Sequence, residues 1–457
     1  MTEEKRKRMD WARLMASERF GQEESAAEQP GRTDYQRDYD RLIFSAPFRR
    51  LQNKTQVFPL PGQIFVHNRL THTLEVSCVG RSLGNAIGRA VKAEEPELPF
   101  DFSDVGTVVS AACLAHDMGN PPFGHAGERA IHAYFTEGAG TRWRESLEAE
   151  GGRWTDFVHY DGNANGLRLL THTFCGRRPG GYGLTYATIG SFIKYPYTSA
   201  KECETGKFGC FASEEETLHR VARKLGLPAL SEESEESEES EHPEYARHPL
   251  VYLVEAADDI CYQIMDLEDA YKLKILSQEE CTELLYPFLT DTEREEAGRV
   301  ISRLSDDNEQ IAYLRGKVVN RLTLSAIDTF LDHREEILSG TFHGSLIGAM
   351  EERQREAYRE AREVAFDRIY YAGEVLDIEL AGFRIFSSLL DNLIEAQRHP
   401  EKAYSKLWFN RIPSQYDMSS PTLYGKIQSA LDYISGITDV YALDLYRKFT
   451  GMSLPAI

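Results

Sequence analysis

The segment from His116 to Glu128, HDMGNPPFGHAGE, constrains the fold more than any other part of this 457-residue chain. The residues before it, VGTVVSAACL at 105–114, are apolar and mostly small, which predicts a buried helix. A histidine and an aspartate follow that helix, and the glycine and prolines of the next turn end it. His125 and Glu128 are one helical turn apart, so they share a face if a second helix begins there. The segment therefore brings two pairs of imidazole and carboxylate groups to the end of a buried helix.

These residue types suit metal-assisted chemistry. His116 and Asp117 supply nitrogen and oxygen donors that hard-to-borderline divalent cations accept. His125 and Glu128 are groups that can move a proton beside such a cation. An isolated His-Asp dipeptide is more often a helix end where the histidine offsets the helix dipole. The metal interpretation therefore needs further ligands elsewhere in the chain.

Two other helices supply candidates for those ligands. His72 lies near the start of an amphipathic helix, three positions after Arg69. The long apolar stretch at 248–273 predicts a second helix, and it carries Asp258, with Tyr262 and Asp266 following at four-residue intervals. An aspartate inside so apolar a helix is costly unless it is paired or bound to a metal. A mixed site of two histidines and two aspartates is thus a consistent interpretation.

Helical periodicity dominates the chain, strand alternation is scarce, and no repeat of fixed period is present, so the predicted fold class is all-α. We expect a flexible polar arm at 1–33 and a helical core at 34–275. The core contains a low-complexity acidic insert, SEESEESEESE, at 231–241. A helical C-terminal region at 276–457 is expected to pack on this core.

The charge balance excludes some functions. The chain has 52 Lys and Arg residues against 73 Asp and Glu residues, a net charge of −21. Such a protein is a poor general binder of nucleic acid or of anionic membranes, so a polyanionic ligand needs local basic residues and a metal. Seven cysteines without a CxxC pair fit reduced thiols. No apolar stretch approaches the roughly 18 residues of a membrane span, and the sequence predicts a soluble, cytoplasmic protein without membrane contact.

The order H…HD…D resembles the pattern of the HD phosphohydrolase superfamily. The likeness is sharper on five segments between about residues 40 and 270: RRLQNKTQVF, NRLTHTLEV, HDMGNPPFGHAGE, YDGNANGLRLL and EAADDICY. Together they resemble the deoxynucleoside triphosphate triphosphohydrolases of this superfamily, in particular the bacterial deoxyguanosinetriphosphate triphosphohydrolases. The resemblance implies an HD-domain helical core. The acidic insert has no counterpart in the family pattern.

The resemblance also implies roles for the matching residues. A single divalent ion per site, Mn²⁺, Mg²⁺ or Co²⁺, would be held by His72, His116, Asp117 and Asp258. His125 and Glu128 would be the catalytic pair near the α-phosphate. The remaining candidates would contact the substrate: Gln56 near the base or sugar, Arg69, Asn163, Lys194 and Tyr197 near the phosphates, and Tyr262 and Asp266 at the deoxyribose.

The implied reaction is hydrolysis between the 5′ oxygen and the α-phosphorus of dGTP or another dNTP. Its products are a deoxynucleoside and intact tripolyphosphate, and its role is control of the dNTP pool. Members of the family form homo-oligomers, often hexamers, and some respond to nucleotides or single-stranded DNA. A homo-oligomer with such an effector is therefore expected here.

Two alternatives remain open at the level of sequence. One is a different HD enzyme, such as a nucleotide 5′-phosphatase or a cyclic-nucleotide phosphodiesterase, which would need neither the pair His125 and Glu128 nor the NKTQVF segment. The other is a non-catalytic nucleotide sensor with the same fold. A sensor should have lost a metal ligand or His125, and this chain retains all of them.

Overall fold

The fold is built from helices. The computed structural model describes residues 8–23, 31–57, 66–201, 206–230, 244–370 and 373–453. Within these ranges β pairing is limited to isolated bridges, such as Thr55 with Asn68, and no sheet forms. The all-α fold predicted from the helical periodicity is confirmed. The acidic insert at 231–241 lies outside the described residues.

The helices have the following bounds. Those before the acidic insert are α1 Trp11–Leu14, α2 Asp34–Ile43, α3 Ala46–Arg50, α4 Arg69–Glu94, α5 Phe102–Ala115, α6 His125–Thr136, α7 Arg144–Ala149, α8 Thr155–Val158, α9 Gly162–Thr171, α10 Tyr186–Phe192 and α11 Glu215–Leu225. Those after it are α12 Pro249–Lys272, α13 Gln278–Leu285, α14 Asp291–Ile301, α15 Asp307–Asp332, α16 Arg334–Ser339, α17 Leu346–Ala349, α18 Glu352–Val364, α19 Gly373–Arg398, α20 Ala403–Arg411, α21 Leu423–Ser435 and α22 Asp439–Phe449. Short 3₁₀ helices span Leu51–Asn53, Ala139–Trp143, Ala212–Glu214 and Tyr286–Phe288, and a π-helical turn spans Ala365–Ile369.

Three packed helices, α4, α5 and α12, form the centre of the molecule. α5 is enclosed, and every residue from Val108 to Ala115 is buried, as the apolar sequence before His116 predicts. Glycines let α4 and α5 approach closely, because a β-carbon at Gly84 would lie only 2.7 Å from the Cα of Gly106. The end of α5 is therefore held firmly against α4.

α12 is buried along most of its length, and the half-buried residues in its middle are Glu255, Asp258, Asp259 and Tyr262. Its predicted apolar face is buried throughout: Leu250, Leu253, Val254, Ala257, Cys261, Ile264 and Leu267. Asp258 and Tyr262 are only half-buried. Two of the three α12 residues that the sequence singled out thus lie where the core meets open space, whereas the third, Asp266, is buried.

Part of the predicted N-terminal arm is folded. Trp11 and Leu14 of α1 are 2% and 0% exposed, and the backbone N–H of Met9 donates to Leu338 O at 2.8 Å. The apolar residues in MDWARLM, at 9–15, favour this packing despite the polar sequence around them. Residues 8–23 therefore belong to the folded body, and the flexibility expected from composition does not apply to them.

The C-terminal region covers the side of the core on which α6 begins. α19 packs along α6, and α21 and α22 pack against α19. These helices share a second apolar cluster that includes Ile131 of α6, Phe386 of α19 and Ile427 of α21. Within the described ranges, no helix is long and apolar enough to cross a lipid bilayer.

Candidate active site

The His-Asp pair lies where α5 ends and the chain turns out of the core. His116 follows the last residue of α5, and its Nδ1–H donates to Cys113 O at 2.6 Å. That hydrogen bond sets the tautomer and directs Nε2 toward Asp117 and Asp258. Asp117 is 7% exposed and accepts a hydrogen bond from the side-chain amide of Asn120. The helix end thus fixes an imidazole nitrogen and a carboxylate on one side of the turn.

Four side chains from three helices converge at this point. His72 Nε2 lies 3.0 Å from Asp258 Oδ1, and His116 Nε2 lies 3.5 Å from the same oxygen. His116 Nε2 is also 3.5 Å from Asp117 Oδ2. Donor atoms of His72, His116 and Asp117 all lie within 4.8 Å of one another. The structure therefore brings together the four residues that the sequence proposed as one site.

The donor set fits a divalent cation. His116 Nε2 is buried and has no well-aligned hydrogen-bond partner among the described residues. Burial lowers the pKa of His116, but Asp117 and Asp258 outweigh it and raise the pKa to about 9. The two carboxylates thus give the cluster a strong attraction for positive charge. Two imidazoles and two carboxylates are a ligand set that Mn²⁺, Mg²⁺ or Co²⁺ accepts, and these four residues would hold the ion.

The second pair, His125 and Glu128, lies in the first turn of α6. The buried Glu128 accepts a hydrogen bond from Gly162 N at 2.8 Å, and its other oxygen is 3.4 Å from Lys207 Nζ. No direct hydrogen bond joins His125 to Glu128 in the part of the chain that the structure describes. Burial lowers the pKa of His125; Glu128 opposes this effect, and Arg69 and Lys207 add to it. His125 is therefore a neutral imidazole near neutral pH.

A cavity of about 170 Å³ joins the two pairs. Ten of the predicted site residues line it: Gln56, Arg69, His116, Asp117, His125, Glu128, Asn163, Lys194, Asp258 and Tyr262. His72 does not line the cavity, but it contacts the lining residue Asp258.

The charges around this cavity nearly cancel. Four carboxylates face it, and each of the three cations is paired with at least one of them. Arg69 Nη1 lies 2.8 Å from Asp117, Lys194 Nζ lies 3.1 Å from Glu255, and Lys207 is close to Glu128. A divalent ion would turn the excess negative charge of this lining into an excess of positive charge. The cavity thus suits a phosphate-bearing ligand when the ion is bound.

A second cavity, of about 520 Å³, opens next to the first. The two share Gln56, His125 and Tyr262 in their linings and therefore adjoin. Gln56 Oε1 is buried at this junction and has no hydrogen-bond partner among the described residues. The added wall is mainly apolar and aromatic, with Val57, Phe123, Phe366, Tyr370, Val375, Leu376 and Ile378. The second cavity thus has a polar group at the junction and an apolar wall beyond it, which suits an aromatic base and a sugar.

Two of the predicted contacts are placed differently. Asp266 lines neither cavity and accepts a hydrogen bond from the Tyr370 hydroxyl at 2.7 Å. Burial raises the pKa of Asp266 to about 8. The ring of Tyr197 packs beside Lys201 and Tyr195, and it is Tyr195 that faces the first cavity. Any effect of Asp266 on a ligand would therefore pass through Tyr370.

Several lining residues escaped the sequence analysis. Tyr195 belongs to the KYPY segment, which drew attention to Lys194 and Tyr197, and its position directly after Lys194 was the available signal. Lys207 and Tyr370 lie in segments without a local motif, and only the fold brings them to the cavities. Asn120, within the HDMGNPP turn, was passed over in favour of its charged neighbours.

Comparisons with known proteins agree with this architecture. Residues 69–150 match the HD domain, and residues 348–448 match the phosphohydrolase-associated domain. The first match contains α4, the His-Asp turn and α6. The second contains α19, α21 and most of α22. The residues of both matches thus surround the cavities.

Relatives similar to this chain over nearly its whole length carry a common name. A deoxyguanosinetriphosphate triphosphohydrolase-like protein of Pseudomonas aeruginosa is 38% identical over 98% of this chain and 100% of its own length. A protein of the same name from Synechocystis is 35% identical, over 98% of this chain and 100% of its own. The deoxyguanosinetriphosphate triphosphohydrolase of Salmonella typhimurium is 30% identical, over 92% of this chain and 94% of its own. The chain therefore belongs to the deoxyguanosinetriphosphate triphosphohydrolase family of HD-domain hydrolases.

Proposed function

We propose that this protein is a metal-dependent triphosphohydrolase that converts dGTP, or another dNTP, to deoxynucleoside and tripolyphosphate in control of the dNTP pool. The observation that carries the proposal is a single cavity in which a donor cluster for a divalent ion faces His125 and Glu128. Basic side chains for the phosphates and an adjoining apolar cavity for the nucleoside support it. The two cavities adjoin at Gln56, His125 and Tyr262, which suits a ligand with a phosphate chain and a nucleoside.

In this proposal the α-phosphate lies between the donor cluster and His125. A bound divalent ion supplies positive charge that neutralises the phosphoryl oxygens. Arg69, Lys194 and Lys207 then exchange part of their contact with carboxylates for contact with the phosphate chain. Phosphoryl transfer depends mainly on such positioning and charge neutralisation.

The proposed bond changes are simple. The oxygen of a water molecule bonds to the α-phosphorus, and the bond from that phosphorus to the 5′ oxygen breaks. The proton that the water loses balances the proton that the 5′ oxygen gains. His125, whose pKa is lowered by burial and by the charges of Arg69 and Lys207, can hold this proton between the two events. Glu128, anchored by the N–H of Gly162, supplies a fixed negative charge nearby.

The identity of the products tests this function directly. We expect the purified protein, with Mn²⁺ or Mg²⁺, to hydrolyse at least one of the four dNTPs and to prefer dGTP to GTP. Phosphorus NMR of the products should show tripolyphosphate and no nucleotide. Pyrophosphate or single phosphate as the product would contradict the proposal. Binding without turnover would support a sensor instead.

The choice of sugar gives a second prediction. Tyr262 lines both cavities, and its ring centroid lies 6.3 Å from that of His72 and 6.2 Å from that of Tyr370. This aromatic face beside the donor cluster would crowd a 2′-hydroxyl and leave it without a partner. Tyr262→Ala should therefore lower the dGTP-over-GTP ratio of kcat/KM by about tenfold.

Tyr262→Phe is the matched control for that prediction. It keeps the ring and removes only the hydroxyl, so the dGTP-over-GTP ratio should stay close to that of the wild type. An unchanged ratio in Tyr262→Ala would show that this side chain does not select the sugar. A ratio that collapsed equally in both variants would assign the selection to the hydroxyl instead of the ring.

The proposal also covers the partners of the enzyme. On the family resemblance, we propose a homo-oligomer, with a hexamer as the first candidate, and regulation by a nucleotide or single-stranded DNA. The acidic net charge argues against nonspecific nucleic-acid binding, so a DNA effector would need a dedicated basic surface. A cytoplasmic location would give the enzyme access to the dNTP pool.

A further inference from the structure

A carboxylate from the C-terminal region binds two active-site segments at once. Asp439, the first residue of α22, is 5% exposed. Its Oδ2 accepts a hydrogen bond from Thr55 N at 2.7 Å, and its Oδ1 accepts one from Phe123 N at 2.9 Å. These partners are 384 and 316 positions away in sequence. Asp439 therefore connects two segments that are far from it in sequence, one at Thr55 and one at Phe123.

Both of these amides belong to segments that carry cavity residues. Thr55 precedes Gln56, whose buried Oε1 lies at the junction of the two cavities. Phe123 lies two positions before His125, in a turn where its φ is +64° and that of Gly124 is +57°. A positive φ is unfavourable for a phenylalanine, so the turn needs contacts that hold it. The hydrogen bond from Phe123 N to Asp439 is such a contact.

Lys54 makes a second connection at the same place. Its Nζ donates to Asn120 O at 2.6 Å and to Ser435 O at 2.8 Å. Lys54 is 2% exposed, and burial lowers its pKa to about 7. Burying a lysine costs desolvation free energy. The hydrogen bonds from Lys54 to backbone carbonyls of two separate segments offset that cost. It connects the C-terminal end of α21 to the turn that follows Asp117.

The side chain of Asp439 is not needed to cap its own helix. The hydroxyl of Thr438 accepts a hydrogen bond from Tyr441 N and caps α22. The carboxylate of Asp439 is thus free to face the two active-site segments. A purely local role in the stability of α22 does not explain this orientation.

We propose that Asp439 is a positioning residue of the active site, which holds the segments bearing Gln56 and His125 at a fixed separation. The phosphohydrolase-associated domain would then be part of the catalytic apparatus and not merely a cover for the HD domain. The inference rests on the proposed function for its kinetic consequence. The expected loss of protection of the two segments does not depend on that function.

The variant Asp439→Asn tests the proposal with little change of shape. Its amide group must point a donor at one of the two backbone N–H groups, so at least one hydrogen bond is lost. In the full-length protein with Mn²⁺, we expect faster amide hydrogen exchange at residues 54–57 and 119–125. We also expect kcat for dGTP to fall by about a hundredfold, because small displacements of catalytic groups have effects of that size. Metal content should remain at the wild-type level.

Asp444→Asn is the matched control. Asp444 lies on the same helix and is partly exposed, and within the described ranges its only ion pair is with Lys448, at 2.6 Å. This variant should keep the exchange pattern and kcat of the wild type. Assays well below the unfolding midpoint separate positioning from stability, because a protein that is only less stable regains its wild-type kcat there.

Unchanged exchange in both segments, or a wild-type kcat, in folded Asp439→Asn would overturn the proposal. If that variant does not fold, Asp439→Glu keeps the charge and displaces both carboxylate oxygens, and the same exchange measurement decides, with unchanged exchange at both 54–57 and 119–125 overturning the inference. A wild-type protein that hydrolyses no dNTP would contradict the proposed function. The exchange data would still decide the role of Asp439.

Discussion

Replacing Asp117 with alanine is expected to empty the metal site and to lower dGTP hydrolysis by at least about a thousandfold. Asp117 is one of two carboxylates in the donor cluster, and His116 depends on it for part of its negative surroundings. A bound divalent ion supplies several kcal/mol of charge stabilisation to such a reaction, which corresponds to that factor. The measurements are metal content of the purified protein by elemental analysis and kcat/KM for dGTP.

Stability has to be measured beside these quantities. Asp117 forms an ion pair with the buried Arg69, and loss of one partner of a buried pair costs roughly 3–5 kcal/mol. Asp117→Asn keeps the shape of the side chain and should likewise lose its metal. Asp101→Asn, at the exposed opposite end of α5, is the control and should retain both metal and activity. Wild-type metal content in folded Asp117→Ala would refute the assignment.

Much of the fold was predictable because burial leaves a periodic pattern. The apolar sequence before His116 and the seven apolar positions of α12 are buried as expected. The arm shows the limit of this reasoning. Polar composition over the first 33 residues concealed Trp11 and Leu14, and two large apolar side chains in a short helix are enough to bind a segment to the core.

The candidate site shows a similar division. Residues within motifs, such as His116, Asp117 and His125, were identifiable because their spacing has a chemical meaning. Lys207 and Tyr370 were not, since a cation or an aromatic ring acquires a role only when the chain folds back to the cavity. These are contacts between distant segments, which a local sequence pattern does not encode.

The ladder of residues on α12 illustrates why spacing alone misplaces a contact. Helical geometry puts Asp258, Tyr262 and Asp266 on one face, and the first two do line the cavity. Asp266, the third residue, is covered by Tyr370. Tyr370 lies in the turn after α18, and its hydroxyl donates a hydrogen bond to Asp266. Helical spacing predicts which side chains share a face of the helix. It does not predict whether a side chain from another segment covers one of them.

Removing the imidazole of His125 is expected to have a large effect of a different kind. His125→Ala should retain its metal and its affinity for dGTP, because the donor cluster lies at the end of α5 and not on α6. Its kcat should fall by about 10²- to 10⁴-fold, the usual contribution of a positioned acid or base. His132→Ala, on the same helix and bonded to Tyr160 O, is the control and should keep its wild-type kcat.

The pH dependence of the wild-type enzyme checks the same assignment. Burial and the charges of Arg69 and Lys207 lower the pKa of His125, so its neutral form persists to a lower pH than that of an ordinary histidine, about 6.5. The acid limb of kcat/KM should therefore lie below that value, and activity should fall as pH decreases through it. In His125→Ala this limb should disappear while metal content is unchanged. Loss of the metal from that variant would instead make His125 a ligand, and the proton would then have to be held by another group in the cavity.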